Sequence, residues 1–411
     1  MDSLDRHEPG KTENPLSRLA QVPDYVPSGL VYDYDFIFDQ GLNEDPQQRF
    51  QALHAEAPPV FYSPRYGGHW VVLSKAALHD IMLNYQDFTS SNLMLPPAEV
   101  GPVLIPATFD PPQHTAYRMP LNKPFSPAGV AVHAEAIRAL AIDIIDSVAP
   151  KGGCDFLLDV AEPFPPTIFF RLAGIPLDNL REFRHLAQEF MGSPQAQVRE
   201  NAYRRIGEIL TVTVKARMES PRDDVLSMLA TQDFGGRKLE MEEILNYAVL
   251  LFIGGLDTVV NNISFTVRYL AQHQELQASL RADPSQIPAA IEEFLRLFAI
   301  ATPMRTATRD MVFHGIDVRK GDQFLLLTGA VNYDPEAFSD PAEFCPHRSE
   351  RHITFNQGVH RCIGANLARL ELRIFYEEWL KRIPQFRLDP QNPPTFSGGF
   401  SVTVASLPLL W

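Results

Sequence analysis

Three stretches of this chain place reactive side chains where a folded protein rarely leaves them idle. In FNQGVHRCIGANLARLEL, Phe355–Leu372, Cys362 stands between a loop carrying Gly358 and a segment with apolar residues at Ile363, Leu367, Leu370 and Ile374. That spacing is helical, so Cys362 sits at or just before a helix N-terminus, where unpaired N–H groups and the helix dipole stabilise a thiolate and lower its pKa. Gly358 and Gly364 let the backbone turn tightly and let a flat ligand come close. A lone cysteine is also commonly an inert core residue, and spacing alone does not separate the two. A Cys–His nucleophile is a third reading, but His360 is only two residues away, and sequence neighbours seldom supply the spatial pairing that such catalysis needs.

The second stretch is LLFIGGLDTVVNNISF, Leu250–Phe265. A helix apolar on all sides is buried, yet this one contains Gly254–Gly255, each costing about 1 kcal/mol relative to alanine. Asp257 and Thr258 then follow side by side. A buried carboxylate needs a partner or a function, and such local violations gather at functional sites. The alternative is a kinked core helix whose threonine bonds back to its own backbone. The third stretch, Glu293-Phe294-Leu295-Arg296, is an i,i+3 acid–base pair, usually a surface salt bridge of small worth. Among isolated cations, His114 and Arg118 in DPPQHTAYR share one helical face, and Arg305 opens a strand-rich patch.

These residues need elements to hold them. Residues 1 to about 45 read as loop, with 1–31 irregular. DPQQRFQALHAEA is helical, HWVVL alternates like a strand, and Ser74–Tyr85 is helical again. Prolines crowd 96–127, which reads largely as loop with short helices. Helical patterns cover Val130–Val148, Leu177–Met191, Arg199–Glu219, Met241–Leu270 as one long helix, and Ile287–Phe298. A strand-rich patch runs from Arg305 to Leu327, and a Pro/Phe-rich loop extends to Arg351. The cysteine motif and its helix follow, with Pro384 just beyond. FSGGFSVTVASLPLLW alternates like a hairpin around Gly398–Gly399. The expected architecture is one mainly α domain over 1–411 with small β-sheets and no separating linker.

Composition fits an ordinary globular chain: 411 residues, 45% hydrophobic and 21% charged, enough to bury a large core. The net charge of −14 argues against nucleic acid as the main partner. Cys154, Cys345 and Cys362 are too few and too irregular for a disulfide framework or a zinc site, which fits a reducing cytoplasmic setting. The N-terminus lacks the apolar core of a signal peptide. The most apolar run, Ala248–Ile253, is far short of a membrane span, so no membrane association is expected.

Phe355-x-x-Gly358-x-x-x-Cys362-x-Gly364 resembles the haem-binding loop of the cytochrome P450 family, where the cysteine thiolate is the axial iron ligand. The resemblance extends over about Tyr32–Trp411. Leu250–Phe265 is similar to that family's central helix, in which a glycine pair opens a groove over the iron and an acid–alcohol pair, matching Asp257 and Thr258, relays protons to bound oxygen. Glu293 and Arg296 match its ExxR motif, a structural pair supporting the proximal side of the haem. Arg348, in EFCPHR, is the expected third member, from a loop one residue short. His114, Arg118, Arg305 and His360 match the groups that hold the haem propionates, which need cationic or hydrogen-bonding partners when enclosed.

GGLDTVVN, AEPFP, GGHW and the C-terminal LPLLW resemble the bacterial camphor hydroxylase branch. The resemblance implies haem b, O2 as co-substrate, and NADH electrons passed through a flavoprotein reductase and a [2Fe–2S] ferredoxin that docks near Arg118 and the cysteine loop. The implied reaction is hydroxylation of an unactivated C–H bond in a small terpenoid, by a monomer. By position, Leu95, Val103, Leu104, Leu250, Gly254, Ala301, Phe400 and Val402 would line the substrate pocket.

There are departures. LMLPPAEVGPVLIPATF lacks the tyrosine that holds the ketone in that branch and is two residues shorter, which argues against camphor itself and against the nearby cation site. The arginine that pairs with the central-helix acid finds no counterpart in Met191-Gly192-Ser193-Pro194. A peroxide-driven peroxygenase and a non-catalytic haem protein remain the alternatives, and neither has a use for Asp257–Thr258.

Overall fold

An apolar helical track, Met241–Gln272, organises the core, and its sequence accounts for both its start and its break. Glu240 and Glu243 form a reciprocal capping box that satisfies the first free N–H groups. The track is not the single helix expected over Met241–Leu270. One helix spans Met241–Leu256, Asp257 leaves regular helical geometry, and a second helix spans Thr258–Gln272. Side chains have entered the hydrogen-bond ladder: the Thr258 hydroxyl donates to the Gly254 carbonyl at 3.1 Å, and the Asn261 amide donates to the Asp257 carbonyl at 2.8 Å.

The two glycines have different reasons to be small. A Cβ on Gly255 would lie 2.1 Å from the Phe169 ring, whereas one on Gly254 would meet nothing within 4 Å. Contrary to the short-run argument above, the whole track is long and apolar enough to cross a membrane, with a mean hydropathy of 1.6. Here Tyr247, Phe252, Val260 and Phe265 are fully buried within the protein core. Helices Phe164–Ala173, Leu180–Gly192 and Ala196–Glu219 pack against the first half.

The computed structural model describes residues 19–96, 102–178, 180–193 and 195–411. The fold is mainly helical with small sheets. The largest sheet has five strands in the order Val60–Ser63, His69–Val72, Gln323–Leu326, Met304–Ala307 and Phe88–Thr89. In it Arg305 pairs with Phe324. Thr395–Ser397 and Thr403–Ser406 form the expected hairpin around Gly398–Gly399. Pro408–Leu410 leaves that hairpin and lies between Gly153–Asp155 and Arg387–Leu388. The proline-rich stretch carries more helix than expected, Gln113–Asn122, while the pattern over Val130–Val148 divides into Pro127–Ala131 and Ala134–Val148.

On helix Ile287–Leu297 the acid–base pair lies inside the protein, not on the surface where its spacing alone would usually place it. Glu293 and Arg296 are 4% and 1% exposed. Arg296 donates to both Glu293 oxygens at 2.9 and 2.7 Å, and to the carbonyls of Asn332, Pro341 and Glu343. Arg348 reaches the same carboxylate at 3.2 Å, and the Cys345 N–H donates to it at 3.0 Å. The loop 332–348 is therefore fastened to the helix by one carboxylate and two guanidinium groups. Arg296→Ala removes the bidentate partner of that carboxylate and the donors to the loop's three carbonyls and is expected to cost about 3–5 kcal/mol, measured by denaturant unfolding; an unchanged midpoint would show the pair to be idle.

Candidate active site

The cysteine loop is shaped by its backbone. Asn356 and Gly358 take left-handed φ values of 57° and 68°, and a Cβ on Gly358 would lie 2.4 Å from the Met82 carbonyl, so glycine is required there. The Cys362 N–H donates to the Phe355 carbonyl at 2.8 Å. The Arg369 guanidinium lies 4.6 Å over the Phe355 ring and helps fix it. Gly364 has an ordinary backbone, and a Cβ there would lie 3.9 Å from the sulfur. Helix Ala365–Arg382 then begins, as the apolar spacing predicts.

Cys362 retains accessible surface in this loop. Burial pushes its thiol pKa up, against the amides of Gly364 and Ala365 and the guanidinium groups of Arg118 and Arg361, which pull it down. The net lowering expected from the helix terminus is thus not achieved by protein groups alone, because desolvation outweighs them. Among the described residues, no group of three or more His, Cys, Asp or Glu side chains is placed to hold a metal ion.

Around this loop the structure gathers the expected cations. The His114 and His360 rings lie 4.4 Å apart, edge to face. Both ring nitrogens of His114 are buried and, among the described residues, have no hydrogen-bond partner; burial pushes its pKa down to about 4. Arg305, 5% exposed, donates to its neighbour's carbonyl at 2.6 Å and approaches the Met82 sulfur at 3.5 Å. Burial pushes its pKa down to about 10. Arg118 donates to the Arg361 carbonyl. His360 has partners of its own, the Ser90 hydroxyl at 2.9 Å and the Asp110 carboxylate at 3.8 Å.

On the central track, Gly254 and Thr258 are exposed although Leu251 and Val260 beside them are buried. They lie one turn apart and open the same side of the helix. Asp257 is held by a residue that the sequence reading missed. Arg184 donates from Nε to Asp257 at 2.8 Å and from Nη1 to Glu162. The arginine said to be lacking near Met191 is therefore present, two helical turns earlier. Its signal was its phase: Arg184 falls at i−3 and i−7 from Ala187 and Met191, on the apolar side of helix Leu180–Gly192. Burial raises the Asp257 pKa, and Arg184 opposes the shift.

The expected pocket residues are partly assembled. Ala301 bridges Ser401, the Thr302 N–H donates to Phe400, and the Val402 N–H donates to Ile300, which brings Ala301, Phe400 and Val402 together. Leu95, Leu104, Phe400 and Val402 are buried in one apolar core, with Leu250 half-buried against it. Val103 departs from the expectation, being 42% exposed. Most of the loop between Leu95 and Val103, where the cation site was considered, lies outside the described residues.

Comparison with known proteins decides the family. Residues 168–409 match the family model described as Cytochrome P450. The chain belongs to the cytochrome P450 family. A probable cytochrome P450 127A1 of Sinorhizobium fredii is 32% identical, over 95% of this chain and 97% of the relative. A steroid C26-monooxygenase of Mycolicibacterium smegmatis is 30% identical, over 82% and 86%. The solved structures of CYP101J2 and CYP101C1 each superpose with a TM-score of 0.86, at 33% and 32% identity, over 95% of this chain and the whole of theirs. As a P450 this protein is a monooxygenase, an oxidoreductase whose family works with haem iron and O2.

Behind the central track lies a second enclosed charge cluster, Glu162–Arg184–Asp257. Arg184→Leu leaves two enclosed carboxylates unpaired, an expected loss of about 3–5 kcal/mol at neutral pH. The penalty belongs to the ionised forms, so it should shrink as acid protonates them. A urea series across pH that shows a constant deficit would rule this out.

Proposed function

We propose that this P450 hydroxylates an unactivated C–H bond of a small terpenoid such as a cineole- or ionone-like molecule. In this reading O2 is the co-substrate, and NADH electrons arrive through a flavoprotein reductase and a [2Fe–2S] ferredoxin docking near Arg118 and the cysteine loop. The whole chain works as one domain, as a cytoplasmic monomer.

One observation carries the haem assignment: Arg305 is buried beside the cysteine loop, and among the described residues no carboxylate is hydrogen-bonded to it and both ring nitrogens of the nearby His114 lack a partner. A buried cation and an orphaned imidazole in one place call for an enclosed anion. Haem propionates meet that need, so the residues fit the group. In this assignment Arg305, His114, Arg118 and His360 would hold the propionates, Cys362 would supply the thiolate ligand to the iron, and Phe355, Gly358 and Gly364 would hold the loop around the sulfur. Glu293, Arg296 and Arg348 anchor the segment beneath. A thiolate-ligated iron favours O–O cleavage, which is the chemistry the bound haem supplies.

The chain's own residues then control protons and position. Asp257 is the proton donor, its carboxyl kept protonatable by burial. Thr258, anchored by its bond to Gly254, presents its hydroxyl on the open side of the helix. Leu95, Leu104, Leu250, Gly254, Ala301, Phe400 and Val402 offer apolar contact, with Val103 at the margin. Similarity to CYP101J2 and CYP101C1 supports the terpenoid class through the branch that the sequence resembles. The steroid named for one relative is a larger hydrophobic alternative.

Two measurements test this. The reduced protein under carbon monoxide is expected to show the red-shifted thiolate–haem absorption, and Cys362→Ala should abolish it. With electrons supplied from NADH, Thr258→Ala should divert oxygen to peroxide while substrate binding persists. Normal coupling in that variant would remove Thr258 from the relay, and spectral binding of fatty acids alone would reject the terpenoid class.

A further inference from the structure

Helix Gln113–Asn122 carries two of the four residues assigned to the propionates, His114 and Arg118, yet its sequence gives it little reason to stand alone. It has no side-chain N-cap, and Pro120 inside it cannot donate to the carbonyl four residues back. At ten residues it is also shorter than an isolated helix needs to persist in water. Its attachment is Tyr117, one turn from His114. The Tyr117 hydroxyl donates to Glu243, and the Tyr117 carbonyl accepts the Tyr247 hydroxyl. Both partners lie on the first half of the central track. The Tyr117 ring packs against Phe109 at 5.2 Å, Phe234 at 4.7 Å and Tyr247 at 6.2 Å.

Glu243 therefore works twice. Through Oε2 it accepts the Glu240 N–H and caps the track; through Oε1 it accepts Tyr117. Arg237 spans both oxygens at 2.7 Å each and reaches the Tyr117 hydroxyl at 3.3 Å. The bonds from Arg237 and Tyr117, against burial, hold the carboxyl pKa down at about 2, so the clamp is charged at neutral pH. Arg237 also lies 5.3 Å over the Phe234 ring. These two residues close an exposed turn, in which the Phe234 N–H donates to the Arg237 carbonyl and Gly235 and Gly236 take left-handed φ values of 63° and 89°. We propose that this clamp governs haem retention. Glu243 is a positioning residue that holds the propionate-binding helix against the central track, and the turn 233–237 is the strap that keeps Tyr117 in place. Release of Tyr117 frees the helix bearing His114 and Arg118, and with it one edge of the haem site. The proposal rests on the assignment of those two residues to the propionates.

The test follows haem transfer from the ferric holoenzyme to excess apomyoglobin. Tyr117→Phe and Arg237→Ala are each expected to speed transfer about tenfold, the scale of one lost hydrogen bond to a charged group. The double variant should add little to the faster single one, since both act through Glu243. The reduced carbon monoxide band should keep its thiolate position in all three, because the cysteine loop is untouched. Arg217→Ala, which breaks the enclosed Arg217–Asp224 pair on other elements, is the control: it should lower the denaturant midpoint and leave transfer at the native rate. Equal acceleration by Arg217→Ala would reduce the clamp to general stability and overturn the proposal. If His114→Phe speeds transfer while Tyr117→Phe and Arg237→Ala do not, the clamp is wrong and the propionate assignment stands. If none of the three speeds it, both fall.

Discussion

The position of the cysteine descends from one buried ion pair. Arg296 spends its donors on Glu293 and on three carbonyls of the following loop, and Asn332 extends the fastening. The Asn332 amide donates to the Arg296 carbonyl and to Thr354, its oxygen accepts the Ile353 N–H, and Thr354 donates to the Leu295 carbonyl. Two residues after Ile353 comes Phe355, whose carbonyl receives the Cys362 N–H. The sulfur thus inherits its place from a helix through a chain of short bonds. Burying two charges to do this gains little net stability, since desolvation consumes most of the attraction. What it secures is one path for a loop that has almost no regular structure of its own.

The opposite wall depends on a break rather than a bond. At Asp257 the central track gives up regular helix; the Thr258 hydroxyl takes the Gly254 carbonyl, and the Asn261 amide adds a second bond to the Asp257 carbonyl. Asn261 also accepts the Val404 N–H at 2.9 Å, which ties the break to the C-terminal hairpin. That hairpin carries Phe400, stacked edge-on against Phe36 at 5.1 Å, and Val402. The same irregularity that exposes Gly254 and Thr258 therefore sets the edge of the apolar pocket. Gly255, pressed against Phe169, lets the neighbouring helix close behind it.

Much of this was legible in the chain because the informative residues break local rules. Glycines in an apolar helix, an acid beside them, and a cysteine after a glycine loop are each costly without a function, and the helical periods around them are strong. Glu293–Arg296 was visible as a pair, but its burial was not, since i,i+3 spacing is the same inside and outside. The break at Asp257 lay hidden in an unbroken apolar pattern, because side-chain capping of carbonyls leaves no mark on periodicity. The phase of Arg184 marks it as inward-facing, but its pairing with Asp257 spans 73 residues, and only tertiary packing creates that. The placement of Pro408–Leu410 between two distant strands is unreadable for the same reason.

Charge is unbalanced on both sides of the site, and in opposite senses. Beside the cysteine loop, Arg305 and His114 are buried with too few acceptors, while behind the central track two carboxylates share one guanidinium. A core selected for stability alone would remove both imbalances, since unpaired buried polar groups cost about 1–3 kcal/mol each. Their coexistence in one fold is economical if each is completed by something that is not protein. The cationic side takes a permanent anion, which makes it a binding site. The anionic side takes a proton, which can leave again. On this reading a fixed and an exchangeable counter-charge are the physical difference between holding a cofactor and feeding its reaction.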